Sequence, residues 1–577
     1  MERPAPAEGV NPATVDRAYA QQLGLDALIH QQWIPLLHHD ESSVPEEPEG
    51  VRHIAATASM TRRRLHALHT EHGERIHVHE VSSDELTSLL LEAFGEEIAD
   101  DAAMALHRAN PLASARTVFT RPQAIGLILA LVITLVCLIV WPSAALGTLI
   151  AAAGIVFLCS TLFKFAVATR GAGSDITSFV SEPEPPAISD DDLPPYTVLV
   201  PVYREENIVA QLVHNLGGID YPQHKLEVFI LVEAEDDATR NAVLESNPPA
   251  HFHIMTVPDG MPRTKPRACN VGLRFARGEF LVIYDAEDTP EPDQLKKAVA
   301  AFRQADSSTV VLQAALNYFN ARENMLTRMF TLEYNYWFYY MLPGLDAAGL
   351  PIPLGGTSNH FRTSALRELG GWDPHNVTED ADLGIRASAL GYRVGVISST
   401  TMEEANTSVP NFIRQRSRWI KGYMQTVLIH ARRPAALMKE VGPVAFLSFL
   451  LLIGGTPATF LLVLPFMAVT AVAVLFPELI GPLDLPVWLL GLGMVNFFVG
   501  SALMVHLTMM GPYRRGTFTM VPWALLNPLY WVLHSIASYK ALWQLLTRPH
   551  YWEKTAHGLT QETHADAEPA QEATHVS

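Results

Sequence analysis

Long apolar stretches divide the chain. Residues 122–141 and 144–168 form a pair separated by Pro142-Ser143, and each is long enough to cross a bilayer. Residues 443–476 are apolar but broken at Gly454-Gly455-Thr456-Pro457; they read as a membrane-surface segment followed by one span, or as two short helices. Residues 486–509 and 519–546 read as two more spans, giving about three over 443–546. Arg108, Arg116 and Arg121 precede the first pair, Lys164 and Arg170 end it, and the turn between is uncharged. Positive charge is retained on the cytoplasmic side, so the N-terminus and residues 171–440 are expected there. Arg514 and Arg515 mark another cytoplasmic loop, whereas 477–485 has no basic residue and is expected outside. With five spans the tail after 546 would lie outside, and a sixth would return it.

Two regions outside these stretches have the pattern of folded polar domains. Residues 1–115 are expected to be mostly helical, with apolar residues at helical spacing in Glu85–Phe94 and Ala102–Leu106. In residues 196–435, short apolar runs end at polar or acidic residues: Thr197–Tyr203, Leu226–Glu233 and Glu279–Asp285. Helical patterns at 206–216, 236–247 and 266–277 separate them. Such alternation predicts an α/β domain with a mostly parallel sheet covered on both faces. Ligands of these sheets sit at the carboxyl ends of the strands, where the acidic residues fall. Residues 171–195 carry six acidic residues, no basic ones and several prolines, and read as a solvated linker. The polar tail 547–577 has the same character beyond Leu559.

Composition narrows the class. At 577 residues, 49% apolar and a mean hydropathy of +0.13, the chain fits two or three domains with a membrane part. The net charge of −19 argues against nucleic acid as a partner. Cys137, Cys159 and Cys269 cannot form a disulfide framework, which agrees with a reducing compartment. The first 30 residues lack a basic start followed by an apolar core, so insertion is expected to rely on internal spans.

The acidic run Asp285-Ala286-Glu287-Asp288 ends an apolar strand. Paired oxygens there suit Mg²⁺ or Mn²⁺, which binds a few carboxylates and completes its shell from phosphate. The run also reads as a solvated turn into a helix over Pro290–Val299, capped by Thr289. Glu233 ends the second strand, where a carboxylate can accept from a uracil imide or a ribose hydroxyl; Asp236 beside it reads equally as a helix cap. Glu205, after Pro201-Val202-Tyr203-Arg204, has a similar claim. Lys265 begins a helix where backbone N–H groups and a cation can meet a phosphate, or it is a surface lysine. Thr378-Glu379-Asp380 opens a helix running to Leu390, with Thr378 as cap; Asp380 is the candidate general base, although acids at helix starts are common for dipole reasons alone. Gln415-Arg416-Ser417-Arg418-Trp419 sits on a helix leading to the membrane. Arg418 would face a leaving diphosphate and Trp419 an acceptor sugar; basic residues with Trp are also the composition of any interfacial helix.

Taken in this order, the three motifs resemble those of the membrane-embedded family-2 glycosyltransferases of the cellulose synthase superfamily, over roughly 196–435. The resemblance implies a GT-A-like nucleotide-sugar transferase domain, UDP binding by Glu205 and Glu233, and a metal at Asp285 with Glu287 or Asp288. Glu stands where that family usually has the second Asp. Asp380 would be the base, and Gln415, Arg418, Trp419 and Glu379 would serve acceptor and diphosphate. Leu354-Gly355-Gly356-Thr357-Ser358-Asn359-His360 resembles the loop beneath the acceptor end. Residues 1–115 resemble the small domain at the front of type II secretion and pilus ATPases, which in some relatives binds cyclic di-GMP. The expected activity is processive, inverting transfer of a hexose from a UDP-sugar onto a β-glycan, exported through the inner membrane of a bacterium to an outer partner. Transfer of one sugar to a lipid, or an inactive receptor or scaffold, are the alternatives.

Overall fold

The computed structural model describes residues 14–37, 51–58, 60, 68, 70, 75–173, 188–476, 478 and 485–554. Residues 174–187 of the acidic linker and the tail beyond 554 lie outside the described residues. The chain divides into two compact units, one formed by Met1–Ala105, Pro194–Val213 and Pro222–Ala286, the other by Leu106–Leu193, His214–Tyr221 and Glu287–Ser577.

In the first unit, helices Arg17–Leu23 and Leu25–Gln31 are followed by strands β1 (Trp33–Leu36), β2 (Val51–Ala56) and β3 (Arg75–Glu80). β1 pairs antiparallel and β3 parallel with β2. This sheet corrects the expectation of a mostly helical region: β1 is too short to show a period, and β3 alternates Ile and Val with His and Glu. The helix Ser83–Ala109 follows, kinked at Phe94.

The same unit holds β4 (Tyr196–Val202), β5 (Leu226–Glu233), β6 (Phe252–Val257) and β7 (Phe280–Ile283), all parallel in the order β6-β5-β4-β7. β5 is buried along its whole length, which is why it is almost continuously apolar. Helices Asp237–Glu245 and Lys265–Phe275 connect the strands. The N-terminal part packs against the second of these helices. Arg274 pairs with Asp26 at 2.8 Å and Asp101 at 3.1 Å, Asn270 donates to the Ala102 carbonyl at 2.9 Å, and His253 meets Asp84 at 2.6 Å.

The second unit contains β8 (Thr289–Pro290), β9 (Thr309–Tyr318), β10 (Asn359–Arg362) and β11 (Arg393–Glu403) in the order β10-β9-β11-β8. Only β9 and β11 are parallel. Thr289 and Pro290 pair with β11 and the helix begins at Gln294, with Asp293 in the cap position. The expected helix from Pro290 with a Thr289 cap is thus replaced by an edge strand, where proline costs no ladder bond.

Among the described residues four helices are long and apolar enough to cross a membrane: Arg121–Val140, Pro142–Gly173, Pro443–Val472 and Val487–Arg514. The third is continuous through Gly454–Pro457, by way of a π-helical stretch at Leu450–Gly454. The span expected over 519–546 is instead a 3₁₀ stretch, Phe518–Leu526, and a helix, Asn527–Thr547. That helix turns Tyr530, His534, Ser538, Ala541 and Gln544 inward, an amphipathic pattern at helical spacing. Four candidate spans thus stand among the described residues, against the five expected.

Candidate active site

At the carboxyl ends of the parallel strands in the first unit stand Glu205, Glu233, Lys265 and Asp285. Glu233, the last residue of β5, is buried and accepts from Arg267 Nη2 at 2.6 Å. Burial raises its pKa above the ordinary value, and the charge of Arg267 opposes that shift. Lys265 opens the helix Lys265–Phe275 and its ammonium bonds Asp285. Two cations in the first helical turn oppose the helix dipole; the carboxylates of Asp285 and Glu233 offset them. The Glu205 backbone N–H donates to the Thr239 hydroxyl at 3.1 Å. Asp236 caps the helix Asp237–Glu245 by accepting from the Thr239 N–H at 3.2 Å, as its place before the helix suggests.

The acidic run passes from one unit to the other after Ala286. Glu287 is half-buried, whereas Asp288 is fully buried and accepts from the Thr357 hydroxyl. Asp288 therefore ties the run to the Gly355–His360 loop. Among the described residues no group of three or more His, Cys, Asp or Glu is arranged to hold an ion by itself.

In the second unit the Thr378-Glu379-Asp380 turn and the Gln415–Trp419 motif form one interlocked structure. The helix Val409–His430 carries Gly422 against Thr378: a Cβ there would stand 2.1 Å from Thr378 Oγ1. One turn on, Gln425 Oε1 accepts from the Val377 N–H at 3.1 Å, and Thr426 accepts from Asn376 at 3.2 Å. Asn376 in turn accepts from the Thr378 N–H at 3.1 Å. The Thr378 side chain makes no cap bond, unlike the sequence expectation; the turn is held by the neighbouring helix. Asp380 is half-buried, accepts from its neighbour's N–H at 2.7 Å, and faces Gly356, whose Cβ would lie 3.3 Å from Oδ2. Burial, then the charge of Asp380, pushes the Tyr423 hydroxyl above its ordinary pKa. Glu379 is buried.

Gln415 accepts from Asn406 at 2.8 Å and is nearly enclosed. Trp419 lies beside Phe330 and Tyr334, with the Arg416 guanidinium 4.6 Å from its ring. Arg416 is held in a two-point pair with Glu333, at 2.8 and 2.5 Å, and the Tyr530 hydroxyl donates to Glu333 at 2.7 Å.

A group that the sequence reading missed lies beyond the last helix. The Arg418 guanidinium sits 4.5 Å from the Trp552 ring. Lys421 donates to the Tyr551 carbonyl at 2.6 Å, Gln425 to that of Pro549 at 3.0 Å, and Ser417 to Glu553 at 3.3 Å. Glu553 also takes Lys540 at 2.7 Å and Gln544 at 2.9 Å. Burial lowers the pKa of Lys421 to about 8. Residues 549–553 thus form a strap along the face of the helix that bears Arg418. In the sequence they fall at the start of the polar tail 547–577, with no local pattern to tie them to Arg418.

The first unit thus offers carboxylates at the ends of a parallel sheet, and the second an acid turn locked to an Arg–Trp helix. Residues 194–422 match the family described as "Glycosyltransferase like family 2". The chain is 29% identical over 241 residues to the probable glycosyltransferase YdaM of Bacillus subtilis, covering 41% of this chain and 57% of that one. It is 27% identical over 240 residues to the beta-monoglucosyldiacylglycerol synthase of Trichormus variabilis, covering 41% and 50%. The chain therefore spans about half the length of these curated relatives. A solved mannosyltransferase, PcManGT from Pyrobaculum calidifontis in complex with GDP-Man and Mn²⁺, is 21% identical with a TM-score of 0.45, over 69% of this chain and 99% of that one.

Proposed function

We propose that the chain transfers a hexose from a UDP-sugar, UDP-glucose being the first to test, onto the hydroxyl end of a growing β-glycan, and passes the product across a bacterial inner membrane. The observation that carries this reading is the interlock of Thr378-Glu379-Asp380 with the helix bearing Gln415, Arg418 and Trp419. It gives a carboxylate and a cation–aromatic pair a fixed mutual position.

Asp380 accepts the proton of the acceptor hydroxyl as its oxygen attacks the anomeric carbon in line. The bond from that carbon to the diphosphate oxygen breaks, UDP leaves with the electron pair, and the configuration inverts. Arg418 faces the charge that develops on the departing diphosphate, and Trp419 stacks on the acceptor sugar. Glu205, Glu233 and Lys265 hold the nucleotide. Asp285 and Glu287 offer the hard oxygen donors that suit Mg²⁺ or Mn²⁺, with phosphate completing the shell. Asp288 fits a ligand role less well, because its carboxylate is fully buried and bonded to Thr357. When bound, the metal neutralises diphosphate charge.

A second reading, one sugar placed on a diacylglycerol-type lipid, is favoured by the printed activity of the Trichormus relative. Membranes holding the chain are to be incubated with labelled UDP-sugars. Insoluble or glycanase-sensitive label supports the polymer, solvent-extractable label supports the lipid, and no transfer from any UDP-sugar removes both.

A further inference from the structure

Glu233 is met from behind by a cation with no exposed surface. Arg267 donates through Nη2 to Glu233 at 2.6 Å and through Nη1 to the Pro258 carbonyl at 2.7 Å. A buried ion pair recovers its desolvation cost only in good geometry, so wherever Arg267 is held, the Glu233 carboxylate follows. The loop that holds Arg267 lies directly on the N-terminal helix Ser83–Ala109. A Cβ at Gly95 of that helix would stand 3.2 Å from Cβ of Pro258. A Cβ at Gly260 would meet Arg267 Nη1 at 2.8 Å and the Ala99 Cβ at 3.0 Å. The loop is thus filled from both sides. The helix carrying Arg267 is fastened to the same N-terminal part at its other end, by Arg274 to Asp26 and Asp101 and by Asn270 to Ala102.

We propose that the helix Ser83–Ala109 is a positioning wall of the donor site, which sets the place of the Glu233 carboxylate through Pro258, Gly260 and Arg267 and so sets the affinity for the donor nucleotide. This deepens the reading of Glu233 as a nucleotide contact and rests on it. Arg267 acts here as a positioning residue, since it reaches the nucleotide only through Glu233. The N-terminal part is then a component of donor recognition, although no residue in it needs to touch the donor.

The test uses the full chain in detergent, with UDP affinity read by calorimetry and KM and kcat read with the UDP-sugar that proves active. Gly95→Leu pushes on Pro258 and is expected to weaken UDP and raise KM by about tenfold, the scale of one impaired charged hydrogen bond. The value of kcat should stay within about twofold, since the acceptor side is untouched. Gly95→Ala should move the same readouts in the same direction by less. In a Glu233→Gln background the effect of Gly95→Leu should vanish, giving a non-additive cycle. If Glu233→Gln alone leaves UDP affinity unchanged, the reading of Glu233 fails. If Glu233→Gln weakens UDP but Gly95→Leu does not, or if the two effects add, the wall proposal fails. Should Gly95→Leu not fold, Gly95→Ala and Arg267→Lys carry the same cycle; Arg267→Lys keeps the charge and loses the two-point hold.

Discussion

Gly422→Ala tests whether the acceptor side depends on the lock between the Thr378 turn and the helix Val409–His430. The added Cβ would lie 2.1 Å from Thr378 Oγ1, 2.5 Å from its Cγ2 and 2.7 Å from its Cβ. All three are far inside van der Waals contact, so the turn and the helix must separate by roughly 1 Å, a misplacement able to cost about 10²-fold in rate at a catalytic group. Overpacking of this kind also costs about 1–3 kcal/mol of stability. The expected result is a kcat lowered about 10²-fold, with UDP affinity nearly unchanged because the nucleotide residues belong to the other unit. Steady-state kinetics with the active UDP-sugar, beside UDP calorimetry, separates the two quantities. Thr378→Ala in the same chain removes Oγ1 and Cγ2 but leaves the 2.7 Å contact, so it should restore activity in part. A Gly422→Ala protein that keeps kcat within about threefold, far short of that misplacement cost, would refute the lock. So would a loss of UDP affinity matching the loss of kcat.

Asp380→Asn should lower kcat by about 10²–10⁴-fold while UDP still binds, and retention of more than roughly a tenth of the rate would remove Asp380 from the base role. Chelation by EDTA should abolish transfer and Mg²⁺ or Mn²⁺ should restore it. Glu287→Ala should then shift the metal requirement, whereas Asp288→Ala should chiefly lower the melting temperature by the loss of a buried bond worth about 1–3 kcal/mol; the reverse pattern would exchange their roles. Trp552→Ala removes the ring under Arg418, a stack worth about 0.5–2 kcal/mol, so kcat should fall several-fold or more and Trp552→Phe should recover most of it. An unchanged rate would make the strap irrelevant to Arg418. Because burial raises the pKa of Glu233 above its ordinary 4.5, it takes up a proton at higher pH than a free carboxylate. UDP affinity should therefore weaken on acidification starting above pH 4.5, and Glu233→Gln should flatten that part of the profile.

The motif residues could be read from the sequence because each depends on a short stretch of chain: a strand that ends in acid, a helix that begins in acid, an Arg–Trp pair. The parallel strands β4, β5 and β7 were visible for the same reason, as apolar runs bounded by polar residues. What the sequence hid were partnerships between distant segments. Arg267 draws no notice in the sequence, though a second cation in the first turn of a helix was a physical hint of the Glu233 carboxylate against it. Asp288 and Glu287 are chemically alike in the run, and only the Thr357 bond separates them. The stretch 519–546 is apolar enough to suggest a span, yet His534 and Gln544 fall on the face that packs inward, a phase that bulk hydropathy does not register. The strap Pro549–Glu553 lies more than a hundred residues from Ser417 and Lys421 along the chain, and no local pattern links them.

The strap also imposes an order on biogenesis. Residues 549–553 leave the ribosome after the four long apolar helices found among the described residues, yet they hold Arg418, Lys421 and Gln425 on a helix made before two of them. During synthesis, Gln425 meets its Pro549 partner only after the last two of those helices have been made. A nascent chain that has not yet reached Trp552 thus lacks the ring beneath its Arg418, and that face of the helix is closed only late in synthesis.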